Sequence, residues 1–267
     1  LAAVPALATD PPAPAGPAAS TGAESKADAA FKAIYEKEWA WRQQHDGGAD
    51  EDSDGGGKLN PKLPDVSAAA QQERLRVWDE VLRQLDALDP QHLSEANRIN
   101  LAVYREQVHN LAGNVRLRSY EMPFNSDSSF WSNLNFMARR SMANADEYRA
   151  YIAQLNDVPR HFDQQIDNMR AGLARGFSVP RAVLDGREGS IAAVATLKDP
   201  TAAALYAPFK SMPAKIPAAE QQALREAAQA AITGSVIPAF ARLQTFFGEE
   251  YVPAARTTLA ASAMPGG

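Results

Sequence analysis

The amino-acid sequence predicts an all-α fold, an irregular multi-helix bundle, on three observations. Apolar residues recur at steps of three and four in one segment after another. No segment alternates apolar and polar residues in the way a half-buried strand does. Ser, Asn, Pro and Gly stand where those stripes begin and end, as helix caps and breakers do. With 267 residues the chain is long enough to bury a sizeable core.

The chain opens with LAAVPALATDPPAPAGPAAS. Its apolar start and the small-x-small pattern Ala6-Leu7-Ala8 read as the tail of a secretory signal peptide and its cleavage site, followed by an Ala/Pro-rich spacer. Residues 1–28 are therefore assigned to a signal tail and disordered linker, and residues 29–267 to a helical domain. An exported protein, periplasmic or secreted, is expected. The apolar piece is much shorter than the roughly 20 residues that cross a bilayer, so no membrane span is expected.

The formal net charge of -5, with arginine pairs such as Arg139-Arg140 standing alone, makes nucleic acid an unsuitable partner. The chain has no cysteine, which excludes disulfides, thiolate zinc sites and cysteine nucleophiles.

A first helix is expected from about Ala29, with Phe31, Tyr35 and Trp39 one turn apart and Gly47-Gly48 ending it. The acidic stretch that follows, GGADEDSDGGGKLN, places Asp50, Asp52, Asp54 and Gly55 on the opening positions of an EF-hand loop. Its twelfth position is Pro61, where a bidentate Glu is needed, and Leu59 stands where a Walker A motif needs Ser or Thr. The stretch reads as a solvated loop.

Ser67 is the expected N-cap of a second helix carrying Leu75, Trp78, Leu82 and Leu85 on one face, stopped by Asp89-Pro90. A third repeats the stripe with Leu101, Tyr104, Val108, Leu111 and Val115, so the two should form an antiparallel hairpin. The segment MPFNSDSSFWSNLNFMARRSM is irregular and either lines a cleft or folds over the core. Asn144 with Glu147 predicts a capping box for a fourth helix through Leu155. Pro159 predicts the start of a fifth, with Phe162, Ile166, Met169 and Leu173, ended by Gly176. Shorter pieces fill residues 181–212, and a long last helix runs from near Pro217 to about Tyr251 with a kink at Pro238 beside Gly234.

The chemistry is sparse. None of the four histidines begins an HExxH motif, and there is no G-x-S-x-G elbow. Glu106-x-x-His109 has the spacing of a di-iron ligand pair, but both residues fall off the apolar stripe of their helix and read as a solvated pair. His161, beside Phe162, reads as a histidine at the edge of the core. Glu249-Glu250 reads as exposed carboxylates with nothing to separate their pKa values. Helical spacing assigns Trp39 and Trp78 to the core, which leaves Trp131, in the irregular segment, as the aromatic candidate for contact with a substrate.

Several strings in order, YEKEWAWR, LPDVS, ALDP with LSEANRINLAVYREQ, DEYRAYIAQL, DQQIDNMRAGLARGFSVPRAVL, VIPAFARLQTFFGEEYVPAAR and AMPGG, resemble the N-terminal region of the bacterial DUF885 family. They cover residues 29 to 267. The resemblance implies an exported relative of zincin-type metallopeptidases, in which a His-Glu pair and a Pro-Gly-His segment hold zinc that activates water. None of those residues has a counterpart here.

The resemblance therefore implies the N-terminal part of a larger helical zincin-like fold, forming one wall of a substrate cleft for a peptide or small substrate. No catalytic, cofactor or metal residue is assigned to this chain, and zinc is expected only in the full-length protein. The assigned contacts are Trp131 and the turn Pro265-Gly266-Gly267. A non-catalytic helical binding or scaffold protein of the cell envelope is the alternative.

Overall fold

A computed structural model describes residues 25–45, 60–125 and 127–265. The signal tail, the acidic loop with Asp50, Asp52 and Asp54, and Gly266-Gly267 lie outside the described residues. The described residues form an all-α fold without a strand, their one β-bridge joining Phe124 to Ser129 across a turn.

The helices are α1 (Lys26–His45), α2 (Ala68–Asp86), α3 (Glu95–Arg116), α4 (Phe130–Met137), α5 (Ala145–Ala174), α6 (Glu188–Ala195), α7 (Ala207–Lys210), α8 (Ala218–Ala231), α9 (Ile237–Phe246) and α10 (Val252–Ala254). They enclose two separate apolar cores. The smaller lies among α1, α2 and α3, around Phe31, Trp78, Leu85 and Val108. The larger runs from α4 to α10, around Trp131, Tyr151, Phe162, Phe209, Phe247 and Tyr251.

Helix α1 starts at Lys26, inside the stretch assigned to the linker, because Ser25 caps it by accepting the Asp28 N–H at 3.0 Å. Asp28 is buried and accepts from the Ser94 N–H (3.1 Å) and the Asn97 amide (2.8 Å), which ties the start of α1 to the start of α3. Ser67 and Ser94 cap α2 and α3 as N-cap oxygens do. These two helices are antiparallel: Arg105 pairs with Asp86 at 2.6 Å, while Arg116, further along α3, pairs with Asp79, earlier on α2.

Asn144 caps the expected helix by accepting the Glu147 N–H, and the Glu147 carboxylate accepts in return from the Ala143 N–H (2.7 Å), one residue before the cap, but the helix does not stop at Leu155. It runs unbroken through Pro159 to Ala174. Pro159 removes only one donor, and the flanking turns lie on a single buried stripe from Tyr148 to Met169, so tertiary burial outweighs the local break. Gly176, at φ +76°, ends α5 in a Schellman motif: its N–H reaches the Leu173 carbonyl (3.0 Å) and the Phe177 N–H reaches that of Gly172 (2.8 Å).

The last helical stretch is continuous but contains two π turns, Ile232–Val236 and Phe247–Tyr251. Each ends one residue before an apolar-proline pair, Ile237-Pro238 and Val252-Pro253. A proline ring crowds the carbonyl four residues back and donates nothing to it. Widening the preceding turn, so that Ile237 and Val252 bond five residues back to Ile232 and Phe247, makes room for the ring. At Pro238, where the sequence suggests a kink, the helix accommodates the ring through this local expansion.

Two polar joints connect the cores. In the first, the extended residues 60–67 lie against α5, whose side chains satisfy their backbone. Gln154 donates to the Asn60 carbonyl (2.7 Å), Arg160 to that of Leu63 (2.8 Å) and Asn168 to that of Val66 (2.7 Å), while Asp157 accepts the Leu63 N–H (2.9 Å). In the second, the buried carboxylate of Glu121 is held between Arg118 and Arg175. There Gly172 is required: a Cβ would stand 2.7 Å from the Phe177 carbonyl oxygen and 2.8 Å from that of Glu121.

Candidate functional site

The chemistry-bearing residues of this chain do not converge on one centre. Among the described residues no three His, Asp or Glu side chains stand close enough to hold a metal ion. His45 stacks on Trp41 with its Nδ1 against the Trp41 carbonyl (2.7 Å), His92 sits beside Asp89, and Glu106 and His109 face solvent. His161 is buried and donates from Nδ1 to the Pro64 carbonyl at 3.0 Å. Burial holds its pKa below the usual imidazole value, against the opposing pull of that hydrogen bond. Among the described residues, then, no set of side chains fits zinc.

Trp131 is interior rather than at a cleft. It lies in the first turn of α4, a helix within the segment that the sequence leaves irregular, and is 2% exposed, with its indole N–H on the Ser190 hydroxyl at 3.0 Å. Phe124, Phe130 and Phe247 surround it. Pro265 is exposed, and its neighbours Gly266 and Gly267 are outside the described residues.

Trp39, which the helical spacing assigns to the core, is 48% exposed. The interior position of that turn belongs to Glu38, 2% exposed. Glu38 accepts from Arg42 through Nε (2.9 Å) and Nη2 (2.8 Å), from the Trp78 indole (3.1 Å) and from the Tyr104 hydroxyl (2.8 Å). A buried carboxylate is tolerated only when paired and hydrogen-bonded in this way. Burial, with the adjoining Glu38, pushes the Tyr104 hydroxyl pKa well up, so Tyr104 remains a donor.

This network floors a groove of about 580 Å³ between α1 and α3. Phe31, Tyr35 and Tyr104 meet edge to face along it, at centroid distances of 5.3 Å to 6.2 Å. Trp39 and Val103, the latter 61% exposed, form its rims, and the Arg42 guanidinium lies 5.7 Å over the Trp39 ring. The amides of Asn97, Asn100 and Gln107 line the α3 side. Aromatic walls with a few polar groups are the usual composition of a small-ligand or peptide site.

A second groove, about 570 Å³ between α5 and α9, is already neutralised internally: Arg170 grips Glu250 (2.8 and 2.6 Å) and Arg242 grips Asp163 (3.0 Å). Those bonds hold the Glu250 pKa below the usual carboxylate range. The α1/α3 groove, with the exposed Trp39 ring and unengaged groups such as the Gln107 amide, is the better candidate for binding.

Comparison with known proteins gives one structural and one family match. The fold is similar to the crystal structure of "the putative lipoprotein from Colwellia psychrerythraea", with a TM-score of 0.69 at 13% identity over 90% of this chain. This chain spans 44% of that protein's length. A search of curated proteins finds no match. The family model described as bacterial protein of unknown function (DUF885) matches residues 50–267, and the chain therefore belongs to the DUF885 family.

Proposed function

We propose that this chain is the N-terminal, substrate-facing helical part of an exported, zinc-dependent DUF885 peptidase or hydrolase, with no catalytic residue of its own. The observation that carries this reading is the combination of a family match over residues 50–267 with a structural neighbour of which the chain spans only 44%. The metal ligands and the base would come from the remaining part, and Pro265 with Gly266-Gly267 would lead the chain toward it. The α1/α3 groove supplies a wall against which a peptide or small substrate can rest. Export is supported by the lipoprotein description of the Colwellia protein, together with the Ala6-Leu7-Ala8 pattern.

The test is hydrolysis of a quenched-fluorescent peptide library. The 267-residue chain, with or without added zinc, should release no fluorescence, and a protein that continues through the next encoded segment should release it in a chelator-sensitive way. Zinc-dependent turnover by the 267-residue chain itself would overturn the proposal.

A non-catalytic binding protein of the cell envelope is the second reading. One observation favours it: no buried side-chain polar atom among the described residues lacks a partner, as in a self-sufficient module. An inactive longer protein that still binds peptide would select it.

A further inference from the structure

The side chains left unengaged in the α1/α3 groove define the ligand it fits. Its charges are already compensated. Glu38 is held by Arg42, Trp78 and Tyr104, and Glu36 lies 3.9 Å from Lys32 on the preceding turn. A charged ligand could find a counter-charge only by displacing one of these partners, and displacing Arg42 would strand the buried carboxylate of Glu38. A neutral ligand leaves both pairs intact.

Asp28 bonds Asn97 near the starts of the two helices and Glu38 bonds Tyr104 further along both, so α1 and α3 run side by side in the same direction. Trp39 and Gln107, each just beyond the Glu38–Tyr104 bond, therefore stand at the same end of the groove. Trp39 is half-exposed, and Gln107 is exposed with no hydrogen bond to another described residue. Asn100, two turns back along α3 or about 10 Å, donates to Asn97 at 3.2 Å and keeps its carbonyl oxygen free among the described residues.

An open aromatic face beside carboxamides suits a sugar ring. The C–H bonds on one face of a pyranose are polarised by the neighbouring oxygens and pack against the electron-rich face of an indole. A carboxamide carries donors and an acceptor on neighbouring atoms, and these match two adjacent hydroxyls, each of them donor and acceptor. Peptide anchors, by contrast, seat in enclosed pockets from which water is excluded. Trp39 stands with Val103 on an open rim, where a ring can lie flat with its outer hydroxyls still in water.

We propose that the groove between α1 and α3 is a binding site for a neutral saccharide, with one pyranose ring stacked on Trp39 and bonded to the Gln107 amide, and a further unit meeting Asn100. The inference rests on the groove as a binding surface and not on the hydrolase reading, and its test involves no catalysis.

The 267-residue chain, screened against short oligomers of glucose, galactose, mannose and N-acetylglucosamine and then titrated by calorimetry, should bind at least one with a Kd of about 1 mM or tighter. Trp39→Ala should weaken that binding about tenfold or more and Gln107→Ala about threefold, with the helical circular dichroism unchanged. Gln107 is an exposed helical position, so its variant keeps the test open even where Trp39→Ala perturbs α1. Phe136→Ala, which removes an exposed ring on α4 away from the groove, should leave the affinity as it is. Failure of every sugar to bind in that range, or binding that both groove variants leave unchanged, would overturn the proposal. So would a groove that ignores the sugars and takes up members of a peptide library through Trp39, which would make it a peptide site. Chelator-sensitive peptide hydrolysis by a longer protein bears on the hydrolase reading alone, so the two can fail separately.

Discussion

The two cores solve the same burial problem with different materials. Between α4 and α10 the interior is apolar and aromatic: Phe130 meets Phe162 at 5.1 Å, Phe162 meets Phe240 at 4.9 Å, and Phe247 stacks on Tyr251 at 5.8 Å. Among α1, α2 and α3 the interior includes a carboxylate with four donors around it. Apolar packing is forgiving of register, since a ring slides against other rings at small cost. A charged hub is not, because each donor must meet its lone pair. The smaller core has little apolar area with which to hold α1, and Glu38 fixes α1 against α2 and α3 at one position.

The largest expected effect lies in the aromatic core. Phe162→Ala should destabilise the chain by about 4 kcal/mol through lost burial and the cavity left behind, measured by urea unfolding and read at Trp131. Next, Glu38→Ala should cost about 3 kcal/mol by leaving the Arg42 charge and two buried donors without their acceptor. Its signature should be local. Fluorescence of Trp39, Trp41 and Trp78, followed for Glu38→Ala in a Trp131→Phe background, should be lost at lower urea than the Trp131 signal of Glu38→Ala in a background where those three are phenylalanine. Coincident transitions would instead show that the polar joints make the two cores one cooperative unit.

At the second joint, Gly172→Ala should cost about 2 kcal/mol, because the new methyl meets backbone oxygens that cannot rotate away. It should bring the transitions of the two cores apart, which thermal unfolding followed at both sets of tryptophans would show. The smallest effect is with pH. His161 is held neutral in the fold by burial, below its ordinary value of 6.5, so the unfolded chain binds the proton first. Stability should therefore fall as pH drops below 6.5 toward the folded pKa, by at most about 1.4 kcal/mol per pH unit. His161→Gln, which keeps a donor for Pro64, should flatten that slope.

Much of this architecture is legible in the sequence where one rule acts alone. The stripes of α2 and α3, the caps at Ser67 and Asn144 and the stop at Gly176 follow from local periodicity and side-chain oxygens. It fails where distant residues decide. Trp39 and Glu38 are adjacent, and hydrophobicity favours Trp39 for the interior. Only the approach of Trp78 and Tyr104, 40 and 66 positions away, makes Glu38 the better occupant. Pro159 reads as a helix start because the burial that carries α5 across it comes from partners on α8 and α9. The α1/α3 groove is invisible for the same reason, and its one local signal is an acidic residue at the buried phase of an apolar stripe.

The π turn at Phe247–Tyr251 has a consequence for the chain's history. Asn156, Asp163 and Arg170 repeat every seven residues on α5 and touch Ser235, Arg242 and Glu250 on the opposite helix. There the first interval is seven residues and the second eight. The extra residue is the one the π turn absorbs, like a spliced link that leaves both ends of a chain in place. A relative without it should align with a single gap near Gly248, carry a straight helix there, and keep the arginine–glutamate pair at its end.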